Sequence, residues 1–230
     1  MAKLLQLKDI NKIYGEKVKN QVLFDVNLDF EESTFNSIIG QSGSGKSTLM
    51  NIIGTLDEAT SGQVIIDGQD VSKLNKDEKA LLRNETIGFI FQFHHLLPEF
   101  TVLENILMPY RIKNNNKVSK EALDRAHEIA DIVGLEKVKN NRSTDISGGQ
   151  QQRAAIARSL INNPKIILGD EPTGNLDSET TRTVFQLMKD INKEFKTTFI
   201  LITHDQKVAE QTDRVIEIKD GRVYSDFMSQ

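Results

Sequence analysis

The densest group of chemically useful residues is Gly40-Gln41-Ser42-Gly43-Ser44-Gly45-Lys46-Ser47. It follows the apolar run Ser37-Ile38-Ile39 and opens into Thr48-Leu49-Met50-Asn51-Ile52-Ile53. Its form is G-x-x-x-x-G-K-[ST], in the strand-to-helix setting that a phosphate-binding loop requires. Glycines at 40, 43 and 45 permit backbone angles that a Cβ would forbid, so consecutive N–H groups can turn toward phosphate oxygens. Lys46 supplies a positive charge for the β- and γ-phosphates and Ser47 a hydroxyl for Mg²⁺, while the following helix directs its positive dipole end at the anion. The chemistry that suits this set is the binding of a nucleoside triphosphate.

Further along, Lys165-Ile166-Ile167-Leu168-Gly169 ends in the carboxylates Asp170 and Glu171. Beside a phosphate loop, Asp170 is placed to hold Mg²⁺ through water and Glu171 to polarise an attacking water; otherwise the pair is an acidic turn before Pro172. Gln92 closes the apolar segment 86–91. It is either a polar exit residue or, with its strand lying beside the strand of the phosphate loop, an amide within reach of Mg²⁺ or the water. His204 closes segment 197–203 and reads as a packing histidine or as a contact to the γ-phosphate. Tyr14, next to Gly15, is an ordinary aromatic or a ring for stacking a purine. Ser147-Gly148-Gly149-Gln150 forms a helix start with exposed N–H groups, which serves as a second anion-binding end or simply as a good cap. Adjacent His94 and His95 do not suggest a metal site, because neighbouring residues seldom converge on one ion and no thiolate or acidic cluster accompanies them.

These residues need strand ends and helix starts to position them, and the pattern supplies both. Residues 3–10 and 21–30 alternate as half-buried strands, and Val64-Ile65-Ile66 lies between the turn signals Ser61-Gly62 and Asp67-Gly68. Asn75 to Glu78 and Thr101 to Glu104 are capping boxes; the first opens a helix to about Arg83, and the second a helix that Pro109 should soon interrupt. Ser119 to Val133 places Ala122, Ala126, Ile129 and Val133 on one stripe, ended by Gly134. Gly174-Asn175-Leu176-Asp177 reads as a turn before a helix over 178–195 with Val184, Leu187, Met188, Ile191 and Phe195 inward. Asp220-Gly221 between two apolar segments predicts a hairpin.

Composition narrows the partners. The 230 residues are 38% hydrophobic and 27% charged, with a net charge of −4 and no cysteine. A chain of this length supports a sizeable core. No basic stripe invites nucleic acid, and disulfides, zinc-thiolate sites and cysteine nucleophiles are excluded. The stretch 1–9 is broken by charge too early for a signal-peptide core, and no apolar run is long enough to cross a bilayer. A membrane role would go through a partner.

Tyr14, the loop 40–47, Gln92, Ser147-Gly148-Gly149-Gln150, Asp170-Glu171, Asp177 and His204 stand in the order found in ATP-binding cassette (ABC) transporter ATPases. The chain resembles that family over essentially its whole length. Segments 91–101 and 170–177 look most like the ATPases of lipoprotein-releasing systems (LolD), within a group that includes MacB-type exporters and the cell-division ATPase FtsE. Ile146 replaces the usual Leu and Gly169 the usual Ala; the glycine is expected to loosen its strand end slightly.

The resemblance implies an α/β fold: a P-loop (RecA-like) core with a mostly parallel sheet, an antiparallel β subdomain, and an α-helical subdomain. Residues 1–230 would form one nucleotide-binding domain, with core and β subdomain at about 1–92 and 161–230 and the helical part at about 93–160. It further implies that Tyr14 stacks on adenine and that Gly40, Ser42, Gly43, Ser44, Gly45, Lys46, Ser47 and Thr48 bind the phosphates. Ser47, Asp170 and Gln92 would arrange Mg²⁺ and water, with Glu171 as general base and His204 as γ-phosphate contact. Ser147, Gly148 and Gly149 would act on ATP held by a second copy, so a homodimer closes around ATP, and Gln150 and Asp177 would belong to the nucleotide-binding set. Residues 93–101 would receive membrane-spanning permease subunits, with the chain peripheral on the cytoplasmic face of the inner membrane. The implied function is an ATP-hydrolysing transporter motor for lipoprotein release. The alternatives are a MacB-type peptide or drug exporter and an FtsE-like regulator. A soluble ABC ATPase of DNA repair or translation is disfavoured by the single short cassette.

Overall fold

The sequence places long apolar runs in strands that are covered on both faces, and a layered α/β architecture follows from that. A computed structural model describes residues 3–229; Met1 and Ala2 of the N-terminal stretch, and Gln230, lie outside the described residues. In chain order the elements are β1 (Lys3–Tyr14), β2 (Asn20–Glu31), β3 (Phe35–Ile39), α1 (Lys46–Ile53), β4 (Ser61–Ile66), β5 (Gln69–Asp70), α2 (Lys76–Thr86), β6 (Ile87–Phe91), α3 (Val102–Lys113), α4 (Lys120–Ile132), α5 (Gly148–Leu160), β7 (Ile166–Asp170), α6 (Ser178–Phe195), β8 (Thr198–Ile202), α7 (Gln206–Ala209), β9 (Arg214–Lys219) and β10 (Arg222–Met228).

Two sheets result. One is antiparallel, in the order β2-β1-β4-β5; the other runs β10-β9-β3-β8-β7-β6 and is parallel except for the β9–β10 hairpin. Alternate residues of β8 serve different cores. Phe199 and Leu201 join the cluster under α3 to α6, while Ile200 and Ile202 join the one shared with the antiparallel sheet and α1. Phe35 stacks on Phe199 at 5.0 Å and meets Phe185 edge-on at 5.5 Å, which fixes α6 against the sheet.

Several expectations are corrected. Strand β6 does not lie beside β3, the strand of the phosphate loop; β8 and β7 stand between them. Tyr14 is not between strands but ends β1, which continues past residue 10 through register shifts, with Asp9 and Asp25 at positive φ. Such bulges break the alternation that would have revealed the extension. Helix α3 runs through Pro109 to Lys113, because Val102, Ile106 and Leu107 are buried and hold it, and the Pro109 carbonyl accepts from Asn84 Nδ2 at 3.1 Å. Helix α2 continues to Thr86 rather than Arg83. On α6, Phe185 and Asn192 are inward and Leu187 and Phe195 only partly so; the Asn192 amide is satisfied by the Thr197 carbonyl at 2.8 Å. Gly169 is buried, and a Cβ there would come within 2.6 Å of Leu201 Cδ2, so the glycine admits a core side chain rather than loosening a strand end.

Candidate functional site

The site forms where the parallel strands end. Strand β3 delivers Gly40, and the loop turns directly into α1, whose N-cap is Gly45 at φ 106° with no side-chain cap, leaving the first helical N–H groups free for an anion. A Cβ on Gly45 would come within 2.8 Å of Leu23 Cδ2 and 3.2 Å of the Val22 carbonyl, so only glycine fits both the angle and the space. The β9–β10 turn braces the loop from behind. Asp220 and Gly221 both have positive φ, as a two-residue hairpin demands, and the Gly221 N–H donates to the Ser44 carbonyl at 3.0 Å.

A cavity of about 610 Å³ opens over this loop, lined by Gly40, Ser42, Gly43, Gly45, Lys46, Ser47, Thr48, Gln92, Asp170, Glu171 and His204, with Val22 and Ile202. Strand order explains the convergence: β7 pairs with β8 so that Asp170 is opposite Ile202, which puts Glu171 and His204 at neighbouring strand ends. His204 Nδ1 lies 2.9 Å from Glu171 Oε2, and the Glu171 N–H donates to the Ile202 carbonyl at 2.9 Å. Lys46 Nζ donates to the carbonyls of Gly40 and Gln41, both at 2.8 Å. Burial pulls the Lys46 ammonium below its usual value, with Glu171 and Asp170 opposing. Burial and then the Glu171 charge push the Asp170 carboxyl up, against the pull of Lys46. A half-buried carboxylate beside another, with one cation facing both, favours an added positive charge. The available donors are the Ser47 hydroxyl, the Asp170 carboxylate and the Gln92 amide, a hard oxygen set that fits Mg²⁺.

Other sequence-predicted residues lie elsewhere. Ser44 is buried and is not among the residues lining the cavity; it lines a smaller neighbouring pocket with Gln41, Ser42, Gly43 and Glu217 to Asp220. Tyr14 does not line the cavity; its hydroxyl donates to Asp57 Oδ2 at 2.6 Å. Ser147, Gly148, Gly149, Gln150 and Asp177 are also outside it. Ser147 caps α5 reciprocally with Gln150, while Asp177 caps α6, accepting from the N–H groups of Glu179 and Thr180 at 3.0 Å. These two helix starts are side by side, since a Cβ on Gly149 would be 2.8 Å from Thr180 Cγ2.

Three residues escaped the sequence reading. Asn175, read as part of a turn, accepts from Gln92 Nε2 at 3.0 Å and donates to the Gln92 carbonyl at 3.2 Å. Arg158 donates to the backbone carbonyls of His95 at 2.6 Å and His94 at 2.8 Å, bonds in which the imidazoles take no part. Asp57 joins Tyr14. Only the position of Asn175 near Asp170 and Glu171 offered a signal; all three pairings are long-range.

A phosphate loop alone leaves many NTPase families open, but residues 23–174, more than half of the chain, match the family model described as ABC transporter. The chain belongs to the ABC transporter family. Over 98% of its length it matches 99% of the ATP-binding cassette MJ0796 at 43% identity and a TM-score of 0.88, in a dimeric post-hydrolysis state bound to ADP and Pi. The same values hold for a second dimeric structure of MJ0796, described as a bacterial ABC transporter cassette. The chain also matches cbiO1 from Clostridium perfringens, part of the ABC transporter complex cbiONQ, at 26% identity and a TM-score of 0.88, covering 99% of this chain and 89% of that one. As an ABC cassette the chain binds and hydrolyses ATP and is the motor of a transporter. Among the described residues no helix is long and apolar enough to cross a membrane.

Proposed function

We propose that this ABC ATPase works on the cytoplasmic face of the inner membrane as the peripheral motor of a lipoprotein-releasing complex. The observation that carries the coupling is the adjacency of Phe91 and Gln92. Gln92 lines the nucleotide cavity, while Phe91 lines a separate groove of about 480 Å³ together with Phe89, Met108, Pro109, Ile112 and Leu56. A membrane subunit's helix seated in that apolar groove, against Phe93 and the rest of 93–101, presses on the strand that ends at Gln92. Phe93 is 67% and Ile112 68% exposed, a cost that a docked partner offsets.

In this reading Tyr14 stacks on adenine, and Lys46 exchanges the Gly40 and Gln41 carbonyls for phosphate oxygens offered within the 43–48 backbone. Ser47, Gln92 and Asp170 hold Mg²⁺, which supplies charge neutralisation at the phosphates. Glu171 takes the proton of the attacking water, and His204 leaves Glu171 to meet the γ-phosphate. The 93–160 segment moves as a helical subdomain against a core formed by 1–92 and 161–230. Its Ser147, Gly148, Gly149 and Gln150, with Asp177, reach ATP on a second copy, so two chains close head to tail.

The test is reconstitution with the membrane-spanning permease subunits in vesicles. ATP-dependent release of a lipoprotein, lost in Glu171→Gln, supports the reading. Peptide or drug export without lipoprotein release overturns the cargo assignment in favour of the MacB-type alternative. Turnover with no transported substrate points to the FtsE-like one.

A further inference from the structure

The tyrosine assigned as the adenine platform is not a free surface side chain. Its hydroxyl donates to Asp57 Oδ2 at 2.6 Å. The other Asp57 oxygen accepts from Lys12 Nζ at 2.6 Å, and the same ammonium donates to the Glu58 carbonyl at 2.7 Å. Lys12 Nζ also stands 4.5 Å from the centroid of the Tyr14 ring, a cation–π contact. Lys12 is 8% exposed and Tyr14 41%. The ammonium therefore occupies one ring face, and a base can stack only on the other.

Asp57 sits just beyond the end of α1, and its N–H donates to the Asn51 carbonyl of that helix at 3.1 Å. The helix that begins at the phosphate loop thus also carries the anchor for the tyrosine. Burial pushes the Asp57 carboxyl up, but hydrogen bonds from Lys12 and Tyr14 outweigh it and hold the group below the usual carboxylate range. Both contacts are consequently made to an anion at neutral pH, which makes them stronger than neutral hydrogen bonds. A ring fixed in this way gives up little freedom when a base arrives, whereas an unpinned one must be ordered on binding.

We infer that Lys12 and Asp57 are positioning residues for the nucleotide base: they hold Tyr14 in register with the phosphate loop before ATP binds, with one ring face committed to Lys12 and the other to adenine. This rests on the reading of Tyr14 as the base platform. It assigns a nucleotide-affinity role to two residues that do not line the phosphate cavity.

The experiment compares calorimetric binding of Mg-ATP with that of Mg-tripolyphosphate, which has the phosphates but no base. Asp57→Asn and Lys12→Met should each weaken ATP about tenfold, seen kinetically in KM far more than in kcat, and leave tripolyphosphate within about twofold of the native value. In a Tyr14→Ala background, Asp57→Asn should weaken ATP by less than about twofold further, because the group it positions is gone. Native ATP affinity in Asp57→Asn overturns the inference. So does an equal loss for both ligands, which marks a general disturbance of the fold, or a full tenfold loss without Tyr14. If the native protein binds ATP no more tightly than tripolyphosphate, Tyr14 itself is not a base platform and the underlying reading falls.

Discussion

His204 Nδ1 and Glu171 Oε2 are 2.9 Å apart, yet the histidine side chain is 73% exposed and the glutamate 19%. The glutamate is fixed at the end of β7, with φ 47° and its N–H on the Ile202 carbonyl, whereas the histidine is free to leave. Glu171→Gln is expected to lower turnover roughly 10²–10⁴-fold while ATP still binds, so ATP should hold the variant as a dimer in sedimentation experiments. Turnover within tenfold of the native rate removes Glu171 from the role of general base.

Asp170 illustrates a site that costs stability. Its carboxyl is raised by burial and by Glu171. A carboxyl raised in the folded state destabilises that state above its folded pKa and returns the stability as pH falls through it. Without metal at pH 7, Asp170→Asn should melt roughly 2–4 °C higher than the native protein. The gap should narrow on acidification, because the native carboxyl is then neutral as well. Mg-ATP should raise the melting temperature of the native protein much more than that of the variant. A variant no more stable than the native chain at pH 7 contradicts this account.

The contact between Gly149 and Thr180 predicts a rescue. An added methyl at 149 meets Thr180 Cγ2 at 2.8 Å, while the Thr180 hydroxyl donates to Asp177 Oδ2 at 2.6 Å. Gly149→Ala should therefore impair ATP-dependent dimerisation. Thr180→Ser removes the obstructing methyl and keeps the hydroxyl, so the double variant should regain most of the dimer in a light-scattering titration. Failure of the serine to restore any dimer would locate the damage elsewhere.

Arg158 forks across two carbonyls, those of His94 and His95, at the start of the segment assigned to the permease. Lysine cannot reproduce a planar fork. Arg158→Lys is expected to lose most of the permease-stimulated turnover while basal turnover falls less, read as the ratio of the two rates in reconstituted vesicles. An unchanged ratio would separate this residue from coupling.

The sequence by itself determined the candidate groups for the chemistry and the local frame around them. The loop 40–47, the capping boxes at Asn75, Thr101 and Ser147, and the Asp220-Gly221 turn depend on residues a few positions apart, and spacing reports such interactions directly. The apolar runs of β7 and β8 announced strands covered on both faces. Tertiary structure alone decided which strand ends are neighbours. It separated β6 from β3, paired β7 with β8, and so brought Glu171 to His204 and Asn175 to Gln92. It also kept α3 helical through Pro109, where buried side chains outweigh one missing hydrogen bond, and it set Lys12 and Asp57 around Tyr14. Those outcomes rest on contacts between residues distant in the chain, whose energies come from packing, burial and strand order, and no local pattern encodes them.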